Sequence, residues 1–468
     1  MRTVKGTTFS SLSLVVFCLF AFVIVCQRTV KAQSLPPAKY DGFVYTNHRV
    51  DSDTIMIEAF FDPVCSDSRD AWPPLKQAIQ HYGPRVMLTI HLLPLPYHDY
   101  AFATSRALHI VNLLNPSATF RLLESFFKHQ ERFLTDQTLN MSKVAVVNDI
   151  VKFTAESVGN SYYSAIKSGF NDSKTDLKTR VSFKYSTSRG VFGTPTFYIN
   201  GFALPDPGSA IDYKKWRSVI DPLLVAQGRK RKGATFSSLS SVAICYCLFA
   251  FVNVSQRTVQ AQSLPPAKYD GFVYTNHQVD SDTILIEAFF DPVCPDSRDS
   301  WPPLKQAIQH YGSRVMLTIH LLPLPYHDYA FATSRALHIV NLLNPSATFR
   351  LLESFFEHQE RFYNDQTRNM SRVAVVNEII KFTAESVGNS YYSAIEAGFS
   401  DRKTDLKTRV SFKYSTSRGV FGTPTFYING FALPDPGSTR DYKGWRSIID
   451  PLLVAQGRKS ENSPHLFL

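Results

Sequence analysis

The pattern of apolar and polar positions predicts a βαβ unit near the start of the chain. Residues 54–61 are β-branched and aromatic with a single charge, which is typical of a short strand buried on both faces. Residues 69–82 carry apolar side chains at helical spacing and stop at Gly83, and residues 85–93 form another largely apolar run. A strand, a helix and a second strand are therefore expected in this order.

The residues that follow predict a group of helices and then a return to β structure. We expect Asp99 and Ser117 to cap the first two of these helices. The predicted helices cover residues 100–114, 118–133, 143–158, 161–168 and 176–188. Apolar runs on both sides of Asn200-Gly201 predict a hairpin, and a last helix is expected over 213–227. The predicted order is βαβ, helical insert, ββα.

The whole pattern occurs twice. Residues 85–127 recur letter for letter as 314–356, and residues 175–209 recur as 404–438. Such a repeat is too long for a solenoid unit, so each copy is expected to be a domain with its own core. The predicted fold class is α/β, with two tandem domains at residues 33–228 and 262–457. A short tail, 458–468, follows them.

An apolar segment precedes each copy. Residues 12–26 follow two basic residues and lead to small residues before position 33, which predicts a secretory signal peptide over residues 1–32. Residues 229–261 hold a basic run and a shorter relic of the same segment, and neither predicts a stable membrane span. The sequence leaves open whether this linker is cleaved, packs on a neighbour or marks two merged genes.

These segments predict a protein of the secretory pathway, extracellular or in the ER lumen. The last residues do not form an ER-retention signal. The sequons at Asn140, Asn171 and Asn369 are the expected glycosylation sites, and a fourth sequon, at Asn253, lies in the linker.

Composition and charge exclude several classes of protein. With 44% hydrophobic and 19% charged residues, the chain has enough apolar surface to fold and is not intrinsically disordered. The formal net charge of +11 is spread along the chain, with one dense basic run at residues 229–232. Nucleic-acid binding requires a basic face with interleaved aromatic residues, so no nucleic-acid partner is expected.

Cysteine positions draw attention to one residue in each domain. Four of the six cysteines lie in the apolar segments, which leaves Cys65 and Cys294 at equivalent positions of the two copies. An unpaired cysteine is either a small buried apolar residue or a reactive thiol. Each follows a predicted strand and precedes a helix, and helix N–H groups stabilise a thiolate. We therefore expect both thiols to have a pKa below the ordinary value.

Taken together, these motifs resemble the thioredoxin fold in its DsbA-like form, in which helices interrupt the thioredoxin core. The resemblance rests on a cysteine at a helix start, a proline eight residues later (Pro73 or Pro302) and the Gly-Thr-Pro-Thr-Phe segment. It covers about residues 40–228 and 269–457, and the chain resembles the secreted thioredoxin-like proteins of plants. The resemblance implies that Pro195 and Pro424 are cis-prolines beside the thiols.

The resemblance also implies roles for individual residues. Cys65 and Cys294 would be the catalytic thiols, and the family's second cysteine is replaced by Ser68 and Ser297, which could hydrogen-bond a thiolate. The substrate-binding residues would be Thr194, Pro195, Thr423 and Pro424. The family often has a buried carboxylate beneath the thiol, for which Glu58 and Glu287 are the candidates and Asp62 is a rival.

Two classes of function remain open. One is a monothiol thiol–disulfide oxidoreductase or isomerase that forms mixed disulfides with protein or glutathione substrates; a glutathione-using enzyme is a weaker variant. The other is a redox-inert peptide-binding or chaperone-like module. No cofactor is expected, and the spacing of His91, His98 and His109 does not predict a metal site.

Overall fold

The structure is a computed structural model that describes residues 41–45, 53–205, 208–231, 270–274 and 282–461. The predicted signal peptide, residues 232–261 of the predicted linker and residues 462–468 of the predicted tail lie outside the described residues. Two sheets, each with its own helices, occupy the two halves of the chain. The fold class is therefore the predicted one, a tandem pair of α/β units.

The described residues of the first half contain five strands, and apart from β1 the strands and helices follow the predicted order. The strands are β1 (Phe43–Val44), β2 (Ile55–Phe61), β3 (Val86–Leu92), β4 (Thr196–Ile199) and β5 (Phe202–Ala203). The helices are α1 (Ser66–Tyr82), α2 (Ala101–Leu114), α3 (Thr119–Lys128), α4 (Thr135–Thr138), α5 (Lys143–Val158), α6 (Tyr163–Asn171), α7 (Ser173–Ser188) and α8 (Tyr213–Arg231). Helices α2 to α7 form the insert between β3 and β4.

The second half repeats this order. Its strands are β6 (Phe272–Val273), β7 (Ile284–Phe290), β8 (Val315–Leu321), β9 (Thr425–Ile428) and β10 (Phe431–Ala432). Its helices are α9 (Pro295–Tyr311), α10 (Ala330–Leu343), α11 (Thr348–Glu357), α12 (Asn364–Thr367), α13 (Arg372–Val387), α14 (Tyr392–Ser400), α15 (Arg402–Ser417) and α16 (Tyr442–Glu461).

Each sheet has a central strand that ends four residues before the cysteine. The order is β1-β3-β2-β4-β5 in the first half, with β2 and β3 parallel and all other pairs antiparallel. Strand β2 is paired on both sides, and six of its seven residues are buried. The parallel pair requires a crossover, which α1 supplies. The carboxyl end of β2 and the start of α1 therefore meet at one edge of the sheet.

Most predicted elements are confirmed, and the hairpin is a clear case. Strands β4 and β5 pair antiparallel across Asn200 and Gly201, whose φ angles are 51° and 84°. A tight hairpin turn of this type needs positive φ at both central residues, which Asn and Gly adopt at the lowest cost. Strand β1 was not predicted, because its two residues are too short a segment to show a period.

The two predicted caps are wrong. Helix α2 begins at Ala101 without a side-chain cap, and Asp99 instead forms an ion pair with Arg372 of the second half. Ser117 donates its hydroxyl hydrogen to Asn115 at 2.6 Å. The helix predicted over 118–133 is divided into α3 and short 3₁₀ turns. The side chain of Asp99 is taken by a contact with the other half, and that of Ser117 by a local hydrogen bond.

The described residues form three apolar cores. One lies in each half, between its sheet, the helix after the cysteine and the helical insert. The third contains residues of both halves, among them Phe183, Phe412, Leu95 and Leu324. The two halves are thus joined by a continuous apolar contact. Among the described residues, no helix is both long and apolar enough to cross a membrane.

Candidate functional site

Each cysteine is the N-cap residue of the helix that follows the central strand. Cys65 precedes α1 with an extended backbone, and Asp62-Pro63 ends the strand before it. The helix begins at Ser66 rather than at residue 69, so the thiol lies directly at the helix N-terminus. Cys294 has the same place before α9. Each cysteine residue is nevertheless only 4% exposed.

The loop before β4 lies against the sulfur. The Cys65 thiol donates a hydrogen bond to the carbonyl oxygen of Thr194, with 3.4 Å between sulfur and oxygen, and the equivalent distance from Cys294 to Thr423 is 3.5 Å. The peptide bonds Thr194–Pro195 and Thr423–Pro424 are cis. The structure therefore brings together the cysteine and the two predicted substrate-binding residues in both halves, although they are far apart in sequence.

Ser68 lies in the first turn of α1, and its hydroxyl group binds the backbone of Asp62 rather than the sulfur of Cys65. The hydroxyl oxygen accepts a hydrogen bond from the backbone N–H of Asp62 at 3.3 Å, and the side chain is fully buried. The backbone N–H of Ser68 is the group that interacts with the sulfur and favours the thiolate. Ser297 and Asp291 repeat the hydroxyl contact. The serine therefore supports the loop through its side chain.

Asp62 is the carboxylate of this site, and its charge raises the pKa of Cys65. Its Oδ1 accepts from the N–H of Val64 at 2.9 Å, and its Oδ2 accepts from the N–H of Leu95 at 3.1 Å. Nδ1 of His98 is 2.8 Å from the same Oδ2. Asp291 has equivalent partners. A fully buried carboxylate thus links the cysteine loop to the loop after β3.

The expected low thiol pKa is wrong for this structure. Burial raises the pKa of Cys65, and the negative charge of Asp62 raises it further; the hydrogen bonds with Thr194 and Ser68 only partly oppose this. The same causes raise the pKa of Cys294 to about 11. The free-energy cost of removing a thiolate from water is larger here than the stabilisation that one helix N-terminus supplies. At neutral pH both cysteines are therefore thiols.

Glu58, the predicted relay candidate, belongs to a different network. Tyr185 donates its hydroxyl hydrogen to Glu58 at 3.0 Å, and Arg189 forms an ion pair with the same carboxylate. His91 approaches Glu58 at 3.2 Å and also contacts Asp41. Glu287 has the equivalent partners in the second half. This carboxylate anchors the helix before the cis-proline loop to the central strand, and its part in proton transfer stays a prediction.

Gln130 is a site residue that sequence reasoning missed. It is 3% exposed, and its side-chain amide donates to the carbonyl oxygens of Pro63 at 3.0 Å and Cys65 at 2.8 Å. Gln359 does the same for Pro292 and Cys294. These bonds satisfy two buried carbonyl groups and hold the cysteine loop in shape. No local pattern signals this role, because a polar residue after a helix normally faces water.

The histidines hold hydrogen bonds of the core. Hydrogen bonds with Asp41 and Glu58 raise the pKa of His91 although burial opposes it, whereas burial lowers the pKa of His109 to about 4. His109 lies 3.0 Å from the hydroxyl of Ser182. The described residues include no group of three or more His, Cys, Asp or Glu side chains that could hold a metal ion.

The sequon asparagines Asn140, Asn171 and Asn369 are all exposed. Exposure is required for glycosylation but does not establish it, so these sites stay predictions.

Comparison with known proteins gives one family match and several similar solved structures. Residues 281–451 match the thioredoxin family, and no curated protein matches the chain. Similar solved structures include BdbD from Bacillus subtilis, 15% identical over 39% of this chain and 93% of that chain, with a TM-score of 0.31. The catalytic domain of ScsC from Proteus mirabilis is 20% identical over 37% of this chain and 86% of that chain, with a TM-score of 0.25. MdbA, a thiol-disulfide oxidoreductase from Actinomyces oris, is 18% identical over 32% of this chain and 73% of that chain, with a TM-score of 0.27.

Proposed function

We propose that this protein, which carries the thioredoxin-like fold twice in tandem, is a monothiol thiol–disulfide exchange protein of the secretory pathway. Cys65 and Cys294 would form mixed disulfides with protein or glutathione substrates. The observation that carries the proposal is the contact of each sulfur with the carbonyl group before a cis-proline, at 3.4 Å and 3.5 Å. The apolar segment at residues 12–26 supports the secretory location.

The reaction needs only the thiol and a substrate disulfide. The thiolate of Cys65 attacks one sulfur of the substrate, a new S–S bond forms, and the old S–S bond breaks. The departing sulfur leaves as a thiolate and takes up a proton. In a two-thiol enzyme a neighbouring cysteine then releases the substrate, but Ser68 occupies that position here. Release therefore requires an outside thiol such as glutathione, and the adduct is expected to be long-lived.

The loop of the cis-proline would hold the substrate chain beside the sulfur. The Thr194 hydroxyl is buried and has no hydrogen-bond partner among the residues that the structure describes, and Thr423 repeats this. A buried hydroxyl without a partner is costly, so it is available for a polar group of a bound peptide.

The alternative, a redox-inert peptide-binding module, is favoured by the state of the thiols. Each is nearly buried, and burial raises its pKa, so the population of reactive thiolate at neutral pH is small. In this alternative the cis-proline loop binds extended peptides and the cysteine is a small apolar residue of the core.

Trapping of adducts separates the two functions. Under mild oxidation, the wild-type chain should give high-mass adducts on non-reducing gels of secretory extracts, and reductant should remove them. The double variant Cys65→Ser, Cys294→Ser should give none. The matched variant Ser68→Cys, Ser297→Cys restores a second thiol beside each first one, and its adducts should resolve much faster.

Two results would decide against the exchange function. One is the absence of adducts from the wild-type chain while both thiols remain free and react with a small alkylating reagent after brief denaturation. The other is an equal amount of adducts in the variant without Cys65 and Cys294. Either result would leave the peptide-binding module as the function.

A further inference from the structure

The two halves of the chain contact each other through equivalent residues. Phe183 of α7 and Phe412 of α15 occupy the same position in the two copies, and their rings stack on each other with 6.5 Å between centroids. Ser142 and Ser371 are also equivalent, and their backbones form an antiparallel bridge. A residue that contacts its own equivalent lies near the two-fold axis of an isologous interface. These two pairs therefore place such an axis between the halves.

The aromatic contacts away from this axis occur in reciprocal pairs. The ring centroid of Tyr97, in the loop after β3, lies 6.0 Å from that of Phe331 in the second half. At the equivalent positions, the ring centroid of Tyr326 lies 6.1 Å from that of Phe102. The two halves therefore present the same aromatic surface to each other.

Each of these tyrosines also receives a cation from the opposite half. The guanidinium group of Arg409 on α15 lies over the Tyr97 ring at 4.4 Å from its centroid. The guanidinium group of Arg180 on α7 lies over the Tyr326 ring at 4.2 Å from its centroid. The negative face of an aromatic ring attracts a cation, so the two contacts stabilise the interface in the same way on both sides of the axis.

Two ion pairs repeat the reciprocal arrangement. Asp99 of the first half pairs with Arg372 of the second half. At the equivalent positions, Asp328 pairs with Lys143. The acid is the same residue in both copies and the base keeps its positive charge. Each half therefore carries one acid and one base for the same kind of contact.

Backbone hydrogen bonds flank the bridge between the two serines. The N–H of Val144 donates to the carbonyl oxygen of Arg368 at 3.2 Å, and the N–H of Val373 donates to that of Leu139 at 3.3 Å. Because backbone groups form these bonds, the difference between leucine and arginine at equivalent positions does not affect them.

The side chains of this interface are nearly the same in both halves. The identical pairs are Tyr97 and Tyr326, Asp99 and Asp328, Phe102 and Phe331, Ser142 and Ser371, Arg180 and Arg409, and Phe183 and Phe412. Lys143 and Arg372 differ, but both are cations. An isologous surface is complementary to itself, so these contacts do not distinguish the other half from a second copy of the same half.

We propose that this surface also binds a second copy of the same half, so that each half can form a symmetric homodimer in place of the internal pair. The partner is a half of another molecule of this chain. In the intact chain, the covalent link makes the internal pairing intramolecular and so favours it over pairing between chains. Cleavage of the linker removes this advantage.

A charge swap in the first half tests the proposal. The full chain carries a protease site in the linker and is cut, and native mass spectrometry then distinguishes the possible pairs of halves by mass. Asp99→Lys plus Lys143→Glu reverses both charges of the first half. The substituted residues face like charges in the second half, at Arg372 and Asp328, but opposite charges in another first half.

The swapped protein should therefore sort into pairs of two first halves and pairs of two second halves. The mixed pair should fall about tenfold relative to the cut wild-type protein, because like charges at an interface repel. The matched control is Lys152→Glu plus Glu156→Lys, which swaps the charges of an exposed ion pair on α5. It should leave the mixed pair at the wild-type level.

The single substitution Lys143→Glu grades the effect without reversing both charges. It places two like-charge contacts in a pair of first halves, one in the mixed pair and none in a pair of second halves. Relative to the cut wild-type protein, the abundance of the three pairs should change in that order, with pairs of first halves reduced most.

A disulfide on the axis tests whether the same surface is used. All native cysteines are replaced by serine, and Ser142→Cys is added to the charge-swapped protein. Residues directly opposite each other in an antiparallel pair have Cα atoms about 4.5–5.5 Å apart, a distance that a disulfide spans. Mild oxidation of the cut protein should join two first halves. Gln80→Cys, at an exposed position of α1, is the control and should not.

Three results would overturn the proposal. The charge-swapped protein could remain as mixed pairs, it could fall into single halves, or its pairs of first halves could fail to be joined through the Ser142→Cys substitution. The thiols of the proposed function take no part in these measurements, so this inference and the exchange function fail independently.

Discussion

At the scale of the residue, the chemistry of this protein depends on what surrounds one sulfur atom in each half. The helix N-terminus favours a thiolate at Cys65, whereas burial and the charge of Asp62 favour the thiol. Desolvation is the larger effect, because a helix terminus supplies only partial charges and the sulfur is almost completely removed from water. At neutral pH the cysteine is therefore a protonated thiol that is almost completely buried.

The first prediction concerns the reactivity of Cys294 with pH. Its pKa of about 11 means that the rate of alkylation by iodoacetamide, followed by peptide mapping, should keep rising above pH 9 and reach half of its maximum near pH 11. Since the unfolded thiol ionises near 9.0, the stability that this group contributes is present below pH 9.0 and is lost as the pH rises towards about 11. An alkylation midpoint below pH 9.0 would contradict the raised pKa that burial gives Cys294.

A second prediction isolates the charge of Asp62. Asp62→Asn should lower the pKa of Cys65 and speed its alkylation at pH 7 by about tenfold, because it removes a negative charge beside the sulfur. Glu58→Gln is the control, since that carboxylate is bound by Tyr185 and Arg189 and should leave Cys65 unchanged. Equal acceleration by both substitutions would mean that general loosening of the core, and not charge, exposes the thiol.

At the scale of the element, the sequence predicted most helices and strands because their signals are local. Helix α5 has the predicted bounds, and its cap Ser142 accepts from the N–H of Ala145 at 3.2 Å. The caps proposed at Asp99 and Ser117 were wrong because each side chain has a different partner, Arg372 for the former and Asn115 for the latter. A cap is an isolated signal that one competing contact overrides, whereas a period is supported by many residues.

A third prediction tests the support of the cysteine loop by Gln130. Gln130→Leu leaves the carbonyl groups of Pro63 and Cys65 buried without a donor, which should destabilise the first half by about 2 kcal/mol. Hydrogen–deuterium exchange should accelerate over residues 62–70 and stay unchanged over the equivalent residues 291–299 of the same molecule. Leucine at the exposed position Gln80 is the matched control. Unchanged exchange over residues 62–70 would show that the amide of Gln130 does not hold the loop.

At the scale of the whole molecule, duplication has placed both partners of a two-fold interface in one chain. The third apolar core and the reciprocal ion pairs join the halves independently of the linker between them. Cleavage in that linker, which its relic signal segment suggests, would therefore not separate the domains.

The fourth prediction follows from this interface. If a protease site is inserted between residues 232 and 261 and then cut, the two halves should still elute together in size-exclusion chromatography. Phe183→Asp plus Phe412→Asp places two charges where two rings stack and should let the cut halves separate. The exposed pair Leu177→Asp plus Leu406→Asp is the matched control and should not. Separation of the unmodified halves after cutting would show that the linker alone holds them together.

The sequence by itself determined the two copies, the order of elements within each, the hairpin at Asn200-Gly201 and the cysteine at a helix start. These features depend on residues close together in the chain, or on identity between copies, and both can be recognised without coordinates. The match of residues 281–451 to the thioredoxin family is in keeping with them.

Only the tertiary structure decided the state of the site. The rise in the pKa of Cys65, the choice of Asp62 as its carboxylate and the donation by Gln130 all depend on groups that folding brings together. The guanidinium group of Arg409, which lies over the Tyr97 ring, comes from the other half of the chain, and no local pattern refers to such a contact. Charge and burial act through distance in space, and a thiol's reactivity is therefore set by neighbours that its place in the sequence does not reveal.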